Sequence, residues 1–175
     1  MTGADRGAVF LDRDGVLNED LGYVYRPADL RWIDGAREAV ARINRAGLMA
    51  IVVTNQSGVA RGFYSEEDVR AFHAHMAAEL ATVGARVDAF YYCPYHEDGV
   101  VPRYVVADHP DRKPNPGMLL RAIADFGVDP ARSLVIGDRA SDLEAARRAG
   151  VRGALFAGGS LEAFVLEALK TMNGR

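Results

Sequence analysis

A single cysteine among 175 residues leaves no partner for an internal disulfide. Long apolar runs are missing too: the longest, Leu48 to Val53, is far too short to cross a bilayer. The first residues lack the apolar region of a secretory signal, so a cytoplasmic setting is expected. There is no basic block. The 21 Lys and Arg and 24 Asp and Glu are spread along the chain with a net charge of −3, which points away from nucleic acid and from a membrane surface. Repeats, linkers and low-complexity segments are absent as well. What remains is 49% hydrophobic residues, enough for a sizeable core, so one domain spanning residues 1–175 is expected, a monomer acting on a small molecule.

Short β-rich runs alternate with helix-period stretches, the pattern of an α/β domain with a mainly parallel sheet and helices on both faces. Strands are expected at Ala8 to Leu11, Met49 to Val53, Asp88 to Tyr92, Ser133 to Ile136 and Gly153 to Phe156. Helices are expected from Gly35 to Ala46, from the capping Ser65 to about Val83, from Pro116 to Phe126, from Ser141 to Ala149 and at the C-terminus. Residues 95–114, rich in Pro, Asp and Gly, read as irregular, with Arg103 to Ala107 as a candidate short strand.

Reactive side chains cluster on that map. Asp12 and Asp14 of VFLDRDGVLNED follow the first strand, Thr54 and Asn55 follow the second, and Asp138 of LVIGDRASD follows the fourth. All sit at carboxyl ends, where the loops of an open α/β sheet converge on a ligand. Lys113, in DRKPNPG just before a helix, reaches the same rim. Carboxylates at such close range call for a hard cation, and an oxygen-only donor set suits magnesium, here with Asp12, Asp14 and Asp138 as ligands. With magnesium, Asp12 can attack a phosphate monoester and become an aspartyl-phosphate. Asp14 can protonate the leaving oxygen and later activate water. Thr54 and Lys113 would stabilise the transferring group.

Each feature also has a plain explanation. Asp-x-Asp-Gly is commonly a turn, Thr54-Asn55 can end a strand, Asp138 and Asp142 suit a helix start, and Lys113 can be a solvated loop lysine. Four such accidents at one sheet edge are less probable than one active site. His73 and His75, two apart on a helix, face different ways and read as solvated or partly buried rather than as a metal pair. Cys93 reads as a small buried residue, and Trp32 as core or pocket rim.

The motifs FLDRDGVLNED with GYV, VVTNQSGVARG, YYCP, RKPNPGM and GDRASDLEAA, from Val9 to Ala157, resemble the haloacid dehalogenase superfamily. Within it they resemble the bacterial heptose 1,7-bisphosphate phosphatases and their histidinol-phosphatase relatives. The resemblance implies a Rossmann-like fold, magnesium and the roles above for Asp12, Asp14, Thr54, Lys113 and Asp138. It further implies that Arg112 grips the phosphate that is not cleaved, and that Asp20, Leu21, Gly22, Tyr23, Asn55, Gln56, Ser57 and Arg139 line the substrate pocket. The implied reaction removes the 7-phosphate of a sugar bisphosphate, a step toward lipopolysaccharide or other surface glycans. Histidinol-phosphate hydrolysis and a catalytically silent binding protein are the alternatives. The spacing of the motifs leaves no room for a large cap domain.

One departure stands out. Family members often carry a structural zinc before RKP, held by a Cys-x-His pair and a later Cys-x-Cys pair. Here only Cys93 remains, with Tyr95 at the histidine and His109-Pro110-Asp111 at the later pair. His96, His109 and Asp111 could rebuild a site with Cys93, but a metal-free loop is the expectation.

Overall fold

Along the first strand, successive side chains point to opposite faces, and both faces are apolar: Val9 and Leu11 join one core cluster, Ala8 and Phe10 another. A strand buried on both sides belongs inside a parallel sheet with helices above and below. The computed structural model describes residues 6–173, so the first five and last two residues of the expected 1–175 domain lie outside the described residues. Five strands, β1 (Ala8–Leu11), β2 (Met49–Asn55), β3 (Ala89–Cys93), β4 (Leu134–Gly137) and β5 (Arg152–Leu155), pair in parallel in the order β3-β2-β1-β4-β5.

Helices α1 (Ala36–Arg45), α2 (Glu66–Ala81) and α5 (Leu161–Asn173) cover the Val9 face through Val40, Ile43, Phe72, Met76, Leu80 and Val165. Helices α3 (Gly117–Phe126) and α4 (Ala140–Arg148) cover the Phe10 face through Met118, Leu119, Ala145 and Ala146. Local chemistry sets the helix ends. Ser65 Oγ accepts from the Asp68 N–H at 3.1 Å while Asp68 Oδ2 accepts from the Ser65 N–H at 2.8 Å, a reciprocal cap that satisfies two orphan donors of α2. Gly35 and Ala46 cap α1, and Pro116 caps α3.

Two expectations need correction. Residues 103–107 form no strand: Pro102–Tyr104 is a 3₁₀ turn whose following N–H bonds back to Pro102 O, and the Tyr104 hydroxyl donates to Glu66 on α2 at 2.6 Å. Proline at its start and a partner on a helix keep this segment off the sheet. His73 is not solvated but buried, with its ring stacked on Phe90 at 4.6 Å. Trp32 packs at the margin of the Val9-side core and donates to Glu79 at 2.5 Å. The connections after β1 and β3 are loops with one 3₁₀ turn each, so no cap domain covers the sheet edge.

Candidate active site

The strand order reverses between β1 and β4, and such a switch opens a crevice at the carboxyl ends of the two strands. Asp12 leaves β1 there, its N–H bonded to Ile136 O of β4 at 3.0 Å, and Asp138 leaves β4 beside it. The chain can turn so tightly because Gly15 sits at φ +84° and presents no Cβ; one would collide with the Asp138 carboxylate. Gly137 plays the same part for Asp142, whose side chain occupies the space a Cβ would need.

Lys113 lies at the bottom of this crevice, buried. Its three ammonium hydrogens face three acceptors: Asp142 Oδ1 at 2.6 Å, Val53 O at 2.9 Å and Asp12 Oδ1 at 3.1 Å. Burial pulls Lys113 toward neutrality, but Asp12 and Asp142 together outweigh it and hold its pKa above the ordinary value. For Asp12, burial is the dominant influence and raises the carboxyl to about 7, opposed by Lys113 and reinforced by Asp142 and Asp14. The Lys113 backbone is clasped to β2: its N–H donates to Asn55 Oδ1 and its carbonyl accepts from Asn55 Nδ2, each at 3.1 Å. Asn55 thus fixes the position of a lysine 58 residues further along the chain.

Asp14 is held separately. Its carboxylate accepts from Arg13 Nη2 at 3.0 and 3.1 Å, from Asn18 Nδ2 at 3.0 Å and from Gln56 Nε2 at 3.0 Å. Gln56 also donates to Thr54 Oγ1 at 2.8 Å, and its own oxygen accepts from the Tyr64 hydroxyl at 2.7 Å. One amide therefore ties Thr54, Asp14 and Tyr64 into a network.

The cleft above these groups measures about 290 Å³ and is lined by mostly polar residues. Of the pocket residues expected from the sequence, Asp20, Gly22, Tyr23, Asn55, Gln56, Ser57, Arg112 and Arg139 line it together with Asp12, Asp14, Thr54 and Lys113. Leu21 does not; it is 59% exposed on the loop that carries its neighbours. Asp20 and Arg139 close the mouth with an ion pair at 2.9 Å. Tyr64, Ser141 and Asp142 also line the cleft and were not anticipated there. Asp142 had a legible signal, a second acid four residues after Asp138, but one that a helix start also explains; Tyr64 had none.

The carboxylates that converge are Asp12, Asp138 and Asp142, each offering an oxygen within 4.8 Å of the others. This differs from the expected trio, because the Asp14 carboxylate is not in that group and is already engaged by its amide and guanidinium donors. The set fits a hard divalent cation. Asp138 Oδ1 is buried without a hydrogen-bond partner, and burial and Asp142 push its carboxyl upward, which is the state of an oxygen left short of positive charge. Asp142 Oδ1 and Oδ2, by contrast, are taken by Lys113 and by the Arg139 N–H at 3.0 Å.

In the loop before Lys113, Tyr95 stacks on His109 at 4.0 Å and meets Tyr104 edge-on at 5.8 Å. His96 Nδ1 and His109 Nδ1 accept from the N–H groups of Asp98 and Asp111. Among the described residues, Cys93, His96, His109 and Asp111 form no three-donor group, and burial raises the Cys93 thiol to about 11.

Comparisons with known proteins agree with this geometry. The HAD-hydrolase-like family model matches residues 111–172. The chain is 49% identical over 168 residues to the D-glycero-beta-D-manno-heptose-1,7-bisphosphate 7-phosphatase of Rhodopseudomonas palustris, covering 95% of this chain and 92% of that protein. It is 45% identical over 144 residues to the D-glycero-alpha-D-manno-heptose-1,7-bisphosphate 7-phosphatase of Burkholderia mallei, covering 82% and 76%. Among solved structures, the D,D-heptose 1,7-bisphosphate phosphatase of B. bronchiseptica, complexed with magnesium and phosphate, matches with a TM-score of 0.80 at 31% identity, over 94% of this chain and 99% of that one.

Proposed function

Because the chain belongs to the D-glycero-D-manno-heptose 1,7-bisphosphate 7-phosphatase family of haloacid dehalogenase-like hydrolases, we propose that it removes the 7-phosphate of that sugar bisphosphate. The observation that carries the reading is the meeting of buried Asp12, Lys113 and Asp142 with half-buried Asp138 at the strand switch. Asp12 and Asp138 would hold magnesium, which when bound offsets the charge of the carboxylates and of the incoming phosphate.

Asp12 attacks phosphorus, the bond from phosphorus to the sugar oxygen breaks, and Asp14 gives that oxygen a proton. Water then attacks the aspartyl-phosphate, Asp14 recovers a proton from it, and phosphate leaves with Asp12 regenerated. Lys113, held beside Asp12, supplies positive charge to the transferring group, and the Thr54 hydroxyl supplies a donor to its oxygens. Arg112 would take the second phosphate: its Nη1 is buried without a hydrogen-bond partner at the edge of the cleft, and a guanidinium suits a phosphate dianion.

All of these groups come from one chain, so a monomer suffices. The aromatic stack of Tyr95, His109 and Tyr104 would stiffen the loop where relatives resembled in sequence use zinc, and no zinc is required. No helix among the described residues is long and apolar enough to cross a membrane. A doubly phosphorylated sugar is confined to the compartment that makes it, so the proposed setting is the cytoplasm.

The test is phosphate release with magnesium, comparing kcat/KM for both anomers of the bisphosphate with histidinol phosphate. A preference of about a hundredfold for one anomer, about 3 kcal/mol of differential transition-state binding, supports the reading and names the anomer. Faster turnover of histidinol phosphate, or equal turnover of all three, overturns the substrate.

A further inference from the structure

Arg13 stands between the two aspartates of the motif, and its side chain is fully buried. A buried guanidinium is costly unless its surroundings are built for it. These are built: the group stacks over the Phe72 ring at 4.6 Å, Nη2 donates to Val24 O at 2.6 Å and straddles both oxygens of Asp14 at 3.0 and 3.1 Å, and Nη1 lies 3.4 Å from His73 Nε2 on α2. Meanwhile its backbone N–H donates to Asp12 Oδ1 at 2.8 Å. The same residue therefore touches both catalytic carboxylates, one with its backbone and the other with its side chain.

We propose that His73 and Arg13 form a positioning relay for proton transfer, in which the imidazole of α2 braces the guanidinium and the guanidinium fixes the orientation of the Asp14 carboxylate. An arginine can only donate, so His73 Nε2 must accept, which requires the tautomer with hydrogen on Nδ1 and an uncharged ring. Every neighbour favours that state. Burial and the Arg13 charge both oppose protonation, and the ring is stacked on Phe90 and flanked edge-on by Tyr92, neither of which offers a carboxylate. The shell around Asp14 explains the need for such a brace. Its other donors, Asn18 and Gln56, come from loops, whereas Arg13 anchors it through His73 to a sixteen-residue helix. A carboxylate that must deliver a proton along one direction loses efficiency when it can swivel.

The inference rests on Asp14 as the proton donor of the proposed reaction, and its test separates the two claims. Substituted phenyl phosphates, from p-nitrophenyl to unsubstituted phenyl, differ in how much their leaving oxygen needs a proton. Since kcat/KM reports steps up to transfer onto Asp12, the ratio of phenyl to p-nitrophenyl reads proton delivery alone. Arg13→Met is the direct variant, but it removes a buried charge and can prevent folding. The decisive pair is therefore His73→Phe, which keeps the stack on Phe90 and removes the acceptor, and His73→Gln, which restores an acceptor.

The expected result is a fall of about tenfold in the phenyl to p-nitrophenyl ratio for His73→Phe, a fraction of a general acid's usual effect, with recovery to within about twofold in His73→Gln. An unchanged ratio in His73→Phe, including equal losses on both esters, overturns the relay and leaves His73 as packing. If the wild-type protein with magnesium releases phosphate from neither ester and from neither bisphosphate anomer, the phosphatase reading falls first and the relay with it.

Discussion

Lys113 lies closer to Asp142, at 2.6 Å, than to the proposed nucleophile Asp12, at 3.1 Å. The ammonium is thus anchored mainly by an acid on the first turn of α4, which also receives the Arg139 N–H and so caps that helix. Asp142 has two tasks, holding the lysine and starting the helix, and the first is invisible to a reading of helix starts.

Asp142→Ala should accordingly cost both stability and rate. Removing one partner of a buried pair is worth about 3 kcal/mol of unfolding free energy, and kcat should fall as Lys113 shifts. Urea denaturation and steady-state kinetics on the same preparation check both. An exposed helix cap would give about 1 kcal/mol and no change in kcat.

Asp12→Asn should lower kcat by at least about a thousandfold, because the amide oxygen that remains is a far weaker nucleophile than a carboxylate. Acid-quenched wild-type enzyme should yield a phosphorylated peptide containing residue 12, absent from the variant. Full activity in the variant would mean that the nucleophile is misassigned.

Gly15→Ala places a methyl group where the Asp138 carboxylate lies and forces a positive φ on a residue that resists it. Strain alone contributes about 1–2 kcal/mol. The more telling effect is on the cation: displacement of Asp138 should raise the magnesium concentration needed for half-maximal activity. Magnesium titration of activity measures this directly.

Stability should depend on pH through His73. Burial, followed by the Arg13 charge, lowers its pKa to about 3, whereas an exposed histidine titrates near 6.5. The unfolded chain therefore binds a proton more readily, so the contribution to stability is complete above about pH 6.5 and is lost as pH falls toward 3. The slope in that window approaches about 1.4 kcal/mol per pH unit for this one group. Urea midpoints between pH 7 and pH 4 should fall less steeply in His73→Phe than in wild type, a difference that cancels the carboxylates common to both.

Metal removal should separate the acidic cleft from the loop before Lys113. Chelation should abolish turnover, and magnesium should restore it, since Asp138 Oδ1 has no protein partner to replace a cation. Elemental analysis should find no zinc in the purified chain, and a zinc-selective chelator, with magnesium kept in excess, should leave its thermal midpoint unmoved. One zinc per chain would refute the metal-free loop.

Much of the framework was legible because periodicity is a property of the chain itself. The short apolar run over residues 8–11 and helical spacing over 36–45 mark those elements within a residue of their observed ends, and strand ends with acids at 12 and 138 locate the crevice. What escaped depends on partners distant in sequence. The burial of His73 is decided by Arg13 and Phe90, the role of Asp142 by Lys113, and the 3₁₀ turn at 102–104 by Glu66. Asp14 illustrates the limit well. Its type and spacing place it in the site, but only the side chains around it show that its carboxylate is held apart from Asp138.

The placement of β1 at the centre of the sheet, with its acid answering to residues 138 and 142, also sets the order in which activity is acquired during synthesis. Asp12, the proposed nucleophile, is translated before its lysine and carboxylate partners at 113, 138 and 142. A nascent chain halted anywhere before β4 carries Asp12 without the acids at 138 and 142, and its central strand lacks one of its two neighbours. On the proposed mechanism, phosphate esters thus meet an inert polypeptide until α4 has been made and has joined the sheet.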